Sequence, residues 1–522
     1  MVRSAFLLLI FWLTGCAGGD HLRIKDARNA FVDRNYPKAE ASLYTAEVLK
    51  RTESRLQHMM MLSSIAFSSG QYEKAIFFLN KSREISNSVR SDQGVFSWYD
   101  KSYGGNPIEY SYLHQYLVLA YTLLSDEGKT PAWETPEIRD EKGRIQVQAE
   151  QHPARTYTPR EIADLRTKAR AELLAWDTHL ENLKRSYGHS DYYQEDTWAR
   201  ILASYLHAQS SQRAEKKTAQ ILLAQALKIL EKEQVRVKGL NHASDSIRAL
   251  SESLKNQIQS DAETGTLVLL QAGVMSPYKA QNTYLGLSTL FQSIEDPLLR
   301  AQLEDIGFRI LLHYAPEFGL VAFTGAMAGA IASEAEDGPR HLTDAADRGL
   351  GFLISFPALP TPTESLDLTL ELRSPDGQLK SVPLALVAPL HELLHTELKA
   401  RRKKEFAGRT LKIGLQYLAI LIPAIKAYQS ADGEGAGLKK LAILAGYFIA
   451  KRAIDAANAP DLRSWNLLPQ VLASAYLPSI KGEFDVKVKV ETQGRITEQS
   501  LGKRLFPPGP SGLLFLDLGK LP

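Results

Sequence analysis

The alternation of apolar and polar residues changes character near the middle of the chain. From residue 22 to about 125, apolar positions recur at three- and four-residue steps, the period of amphipathic helices. Two stretches inside this region repeat one another. Ala27, Ala30, Tyr36, Ala39, Leu43 and Ala46 are matched by Ser63, Ala66, Tyr72, Ala75, Leu79 and Ser82, a shift of 72 − 36 = 36 residues. Small residues at Ala30/Ala66 and Ala39/Ala75 let two helices approach closely, the tyrosines fill the groove beside them, and Gly70 eases the turn. A third helix pair is expected to include Tyr110 to Leu124.

Residues 127–160 are rich in Pro, Glu, Lys and Gln without apolar periodicity, which predicts a long loop or insertion. Helices then resume. Pro159 just inside a start at Thr158, followed by Ile162, Leu165, Ala169, Leu173, Trp176, Leu180 and Leu183, predicts a helix to Ser186. Further helices are expected at 194–209, 214–233 and 241–259. From about 264 the period shortens to two. Thr266 to Leu270, Gly351 to Phe356, Leu366 to Arg373, Leu379 to Val387, Phe484 to Val490 and Leu513 to Leu518 read as strands, with Ser374 to Gly377 as a hairpin turn. Apolar helices at 319–332, 411–428 and 438–454 lie between them. They are short or interrupted (Lys412, Gln416, Pro423, Lys426, Lys451), which favours core helices over membrane spans.

The helical repeats resemble tetratricopeptide repeats, whose period is about 34 residues; an ordinary helical bundle is the alternative. The expected fold is α+β and multidomain: an all-α, TPR-like repeat domain over 22–260, then an α+β domain over 261–522 with an antiparallel, sandwich-like sheet and apolar helices. At 522 residues the chain exceeds one core, and its 44% hydrophobic and 23% charged residues suit a globular protein. A net charge of +3 lacks the basic excess that nucleic-acid binding uses, so no nucleic-acid partner is expected.

The N-terminus points to export. Met1 to Arg3 give a positive start, Ala5 to Leu13 an apolar run too short to span a bilayer, and Thr14-Gly15 the small residues of a processing site. Residues 1–15 thus read as a signal peptide and 16–21 as a lipidated linker. Leu13, Thr14, Gly15 and Cys16 resemble the bacterial lipobox, which implies cleavage before Cys16 and lipid attachment, palmitate included, at its thiol. Two or three acyl chains, at about 0.8 kcal/mol per buried methylene, hold a protein stably on a membrane. Cys16 is the one cysteine, so no intramolecular disulfide can form. By resemblance to lipoprotein sorting rules, Ala17 in place of Asp after it implies the outer membrane, with the body facing the periplasm.

The segment Ala459, Asp461, Arg463, Ser464, Trp465 to Pro469, with Leu477-Pro478 and the strand from Gly482, is similar to a segment of an uncharacterised bacterial family of tetratricopeptide-repeat-containing outer-membrane and periplasmic lipoproteins. Gly273, Pro277, Lys279 and the Trp176-Asp177 region fit the same likeness. It implies architecture and location, not an activity. Read from the residues alone, Asp461 and Arg463 mark a helix end before a buried Trp465, a structural clasp.

His391, Glu392 and His395 match H-E-x-x-H, in which a helix turns two imidazoles to one face to bind zinc while the glutamate polarises the metal-bound water. Thr396 to Arg401 lack the glycine and third histidine of the longer zincin signature, and neither Glu405 nor Glu434 sits in a second motif. Zinc is therefore not expected, and His391 and His395 stand only as candidate ligands for it, with Glu392 as the base. The function expected is a non-catalytic envelope scaffold that binds an envelope protein through its repeats. The alternatives are a zinc-dependent peptidase and a component of an envelope assembly or export complex.

Overall fold

The computed structural model describes residues 18–44, 54–92, 103–139, 144–187, 192–210, 212–260, 265–285, 352–361, 366–433, 435–478, 480–492, 494–519 and 521. The chain is a mixture of helix and sheet, in keeping with the α+β class. It divides into two compact units. The first comprises Met1–Pro277, Leu359–Glu397 and Arg463–Pro522, the second Tyr278–Ala358 and Leu398–Leu462. The helices of the first half and the seven-stranded sheet of the second fall in the first unit.

The first unit opens with two helical hairpins, α1 (Gly18–Val32) with α2 (Tyr36–Leu43) and α3 (Arg55–Ser68) with α4 (Tyr72–Asp92). Their turns use one chemistry. Arg34 and Gly70 stand in the left-handed region at φ 57° and 76°. Beyond them Asn35 N–H reaches Ala30 O and Gln71 N–H reaches Ala66 O, both at 2.8 Å, while Arg34 N–H and Gly70 N–H bond Phe31 O and Phe67 O. This is the Schellman closure, which satisfies carbonyls a helix end would otherwise strand. Phe31 meets Tyr36 edge to face at 5.7 Å, and Phe67 meets Tyr72 likewise at 5.4 Å.

α5 (Pro107–Glu127) starts with a capping box between Asn106 and Glu109. α6 (Pro159–Tyr187) starts the same way, Glu161 Oε2 accepting from Thr158 N–H at 2.8 Å. The apolar stripe expected along α6 is buried, from Leu165 through Trp176 to Leu183. Between these helices, the stretch expected as a loop or insertion carries a β-arm of nested antiparallel pairs, β1 (Lys129–Thr130) with β6 (Arg155–Thr156), β2 (Trp133–Thr135) with β5 (Glu150–His152), and β3 (Ile138–Arg139) with β4 (Ile145–Val147). Pairs this short show no alternation in sequence. The arm is fixed to α4 through Glu73, which accepts from Trp133 Nε1 at 3.1 Å and from Arg155 at 2.5 Å. α7 (Thr197–Ala208), α8 (Arg213–Arg236) and α9 (Lys238–Ser260) complete the helices.

Seven strands form one sheet in the order β14-β13-β10-β11-β12-β7-β15. They are β7 (Thr266–Ala272), β10 (Leu366–Arg373), β11 (Leu379–Ala388), β12 (Val471–Leu477), β13 (Gly482–Thr492), β14 (Arg495–Phe506) and β15 (Leu513–Asp517). Every pairing is antiparallel except β15 with β7. The sandwich expectation is corrected: the sheet curls, and its inner face supplies its own core through Val268, Leu270, Leu368, Leu370, Val486 and Val488. No facing sheet is needed. On the outer face the character changes along the strand order. Around β7 and β15 the helices cover it, with Phe67 on Phe515 at 4.9 Å and Tyr116 Oη–H donating to Gln271 Oε1 at 2.9 Å. Around β10 and β13 it carries charge, with Lys489 Nζ 2.6 Å from Glu371 Oε1.

The second unit holds the antiparallel pair β8 (Lys279–Leu285) and β9 (Phe352–Ala358), most of α10 (Leu390–Gln429) and all of α11 (Ala436–Ala457). Its core gathers Ile354, Phe356, Ile413 and Tyr417. Asn458 closes α11 by donating to Gln416 Oε1 at 2.8 Å. The apolar stretches expected at 411–428 and 438–454 lie in α10 and α11. By length and composition, α10 is the one helix among the described residues that could cross a membrane, at mean hydropathy 1.3 with 29% of the stretch buried. The apolar stretch 319–332 lies outside the described residues.

Candidate functional site

Cys16 and the residues before it, where a signal peptide is expected, lie outside the described residues. Within the first unit two concave regions draw ionisable side chains together.

The first is a groove of about 1020 Å³ along α4, α5 and α6. Arg83 and Asn87 reach it from α4, Tyr110 and His114 from α5, and Thr178, His179 and Asn182 from α6. Glu172 of α6, buried and in contact with the lining residues Arg83 and His114, ties the three helices. Arg83 pairs with one of its oxygens, and His114 Nδ1 lies 2.9 Å from the other. Burial pushes the Glu172 carboxyl up, but the His114 hydrogen bond and the charges of Arg83 and His114 outweigh it, so its pKa is lowered. Tyr110 donates to Asn87 Oδ1 at 2.7 Å, and its ring packs on both His114 and His179. The groove therefore presents preset polar groups beside the exposed Leu174.

The second is a cleft of about 920 Å³ between α1, α9, the sheet and the start of α10. His391, Glu392 and His395 all line it, as the motif's helical spacing requires. Glu392 does not hang free. Its Oε2 accepts from Gly239 N–H at 2.6 Å, at the first turn of α9, so the carboxylate compensates the positive end of that helix. A Cβ at Gly239 would sit 2.6 Å from the same oxygen, so only glycine admits the approach. His391 is held by its backbone, His391 N–H to Gln470 O at 3.0 Å. Burial, with a smaller push from His395, lowers the His391 pKa. Among the described residues no group of three or more His, Cys, Asp or Glu is placed to hold a metal ion. Two imidazoles and an engaged carboxylate are what the motif brings together.

Trp465 is buried as the sequence implies, and the clasp is specific. Its Nε1–H donates to Ser64 Oγ at 2.8 Å, its amide to Glu109 Oε1 at 2.7 Å, and Gln57 Nε2–H donates to Ser464 O at 2.7 Å. Arg463 lies over the Tyr103 ring at 5.5 Å. Sequence reasoning missed Arg28, Lys238 and His242 in the cleft, and Arg83, His114, Glu172 and His179 in the groove. Each is a lone polar residue on a helix, indistinguishable in sequence from a solvated face.

The fold and sites define a mixed helix-and-sheet protein whose helical array and curled sheet share one unit and enclose two ligand-sized recesses. No family model matches the chain, and neither a curated protein nor a solved structure does.

Proposed function

We propose that the protein is a bacterial envelope lipoprotein, held through acylated Cys16 at the outer membrane with its body in the periplasm. In this reading it is a non-catalytic scaffold that binds a segment of another envelope protein. Its paired hairpins α1–α2 and α3–α4 are TPR-like repeats, in the manner of the repeat-containing lipoprotein family its sequence resembles. The observation that carries the binding role is the open groove on α4, α5 and α6. Helical arrays offer such concave surfaces to extended or helical peptides, with fixed side chains giving specificity. The hydrogen-bonded Tyr110, His114 and Arg83 suit that use. They need not reorganise to meet a partner.

The test places a photo-crosslinking residue at Leu174 or Thr178 in the groove, and at Val235, which is 87% exposed and does not line the groove. The reading expects a discrete adduct in living cells from the groove positions and none from Val235. Equal, diffuse labelling at all three would overturn the scaffold role. The anchor is tested separately: Cys16→Ala should leave the body in the soluble periplasmic fraction, and a protein that remains with the membrane would remove the lipid tether.

A further inference from the structure

The cleft beside α9 gathers several basic side chains. Arg28 is half-buried, and its Nε–H and Nη2–H donate to Met275 O and Val274 O, each at 3.2 Å. Both acceptors are neutral carbonyls. Among the described residues no carboxylate pairs with Arg28, and burial alone lowers its pKa. Lys238, His242, His391 and His395 line the same cleft, and none of their side chains has a hydrogen bond or ion pair among the described residues. Two acids face the cleft, Glu392 and Asp367. The first is engaged by Gly239 N–H; the second lies exposed at the start of β10. The rest of the wall is mixed: Leu384 and Leu386 of β11, Val471 of β12, Val274 and Leu521 form an apolar stretch, beside the polar Ser246, Thr361, Thr396, Gln470 and Thr492.

Leaving a guanidinium partly desolvated without an anion is unfavourable, and proteins rarely do so without a use for it. A recess of about 920 Å³ falls within the range of about 300–1,000 Å³ of small-molecule pockets. We propose that this cleft binds an amphipathic organic anion, its carboxylate or phosphate head at Arg28 with His391 and His395 beside it, and its apolar body along β11 and β12. Arg28 is the anchor, because a guanidinium offers its remaining N–H groups to such a head in a planar fork. The site is separate from the groove, so either proposal can fail without the other.

The test is calorimetric titration of the full chain with octanoate and octyl phosphate, with octanol as the body without charge and inorganic phosphate as the charge without body. The expected result is saturable binding of one or both amphipathic anions, with octanol and phosphate weaker by about tenfold or more. Octanoate against octyl phosphate then tells which head the site prefers. Arg28→Met is expected to weaken the preferred anion about tenfold, and Arg28→Lys to restore part of the loss. His395→Asn, at a side chain with no bond to lose, serves where Arg28→Met fails to fold, and should weaken it about threefold. Absence of saturable binding by either anion overturns the proposal. So does equal affinity for octanol, or an anion affinity that His395→Asn and the folded Arg28 variants leave unchanged.

Discussion

Two buried carboxylates in the helical region differ in what surrounds them, and their protonation differs accordingly. Glu172 lies between Arg83 and His114, which hold its pKa down against burial. Glu233, near the end of α8, has Asp196 for a neighbour. Thr197 Oγ1–H donates to it at 3.1 Å and Arg236 stands 3.7 Å away, yet burial first and then the Asp196 charge push it up to about 8. Asp196 itself is raised by burial, though Tyr193 Oη–H donates to it at 2.8 Å. Burial is common to all three; only at Glu172 do a hydrogen bond and opposite charges outweigh it. The paired one stitches three helices and frames the groove. The crowded one is a liability that pH can expose.

The largest expected effect follows from that liability. Unfolded, Glu233 loses its proton near 4.5, while folded it keeps the proton until about 8. Between those values the folded state holds more protons, so stability is greatest at the acid end and falls as pH rises, by at most about 1.4 kcal/mol per unit. Glu172 has the opposite sign: its contribution is present above the ordinary carboxylate range and lost as pH falls through it. Denaturant melts of wild type and Glu233→Gln from pH 5 to 8.5 separate the two. The variant should flatten the alkaline decline, and a decline that persists unchanged would assign it elsewhere.

Second in size is Glu172→Gln. It removes a charge that Arg83 and His114 share, and breaking a buried pair costs about 3–5 kcal/mol. Arg83 keeps 31% of its side chain in water, so the expected loss is nearer about 2 kcal/mol. Groove crosslinking should fall with it, because Arg83 and His114 lose their common partner. A loss of stability with undiminished crosslinking would separate the groove's shape from its role.

The same contrast explains how much could be read in advance. The helices α6, α8 and α9 and the strands β10 and β13 were legible because each buries one face and so repeats apolar residues at its own period, while α5, α7 and β7, buried almost all round, were legible as apolar runs. β14 was not. It is an exposed edge strand (Ile496 60%, Leu505 63%) whose partner is β13 alone, so no buried face imprints a pattern. β12 was hidden for the opposite reason, since nearly all of Val471–Leu477 is buried and nothing alternates. The cleft was legible only through His391, Glu392 and His395. Arg28 lies 246 residues before Val274, whose carbonyl orients it, and no local pattern records a contact of that range.

A third, smaller effect tests what Glu392 does. As the cap of α9 its carboxylate accepts a charge-assisted bond from Gly239 N–H, and Glu392→Gln should lower stability by about 1 kcal/mol. A metal-bound water would instead make the same change silent in a melt and fatal to turnover. Thermal melts with and without zinc distinguish these: a variant as stable as wild type, with a zinc-dependent shift in both proteins, would revive the hydrolase reading.

The smallest effect concerns the two hairpin turns, where one backbone conformation is occupied by different residues. A side chain at Gly70 would meet nothing within 4 Å, so Gly70→Ala carries only the penalty of φ 76°, about 1 kcal/mol. Arg34 already bears that penalty at φ 57°, and its Nη2–H donates to Asp517 O of β15 at 2.7 Å. Arg34→Gly therefore gains about 1 kcal/mol of backbone ease and forfeits an exposed hydrogen bond of about 0.5–1.5 kcal/mol. The two nearly cancel. Adding Arg34→Gly to a protein in which Asp517's strand contact is already lost should reveal the backbone gain by itself. If Gly70→Ala and Arg34→Gly instead shift the denaturation midpoint equally and in the same direction, the turns are not equivalent, and the 36-residue correspondence between the hairpins loses its physical basis.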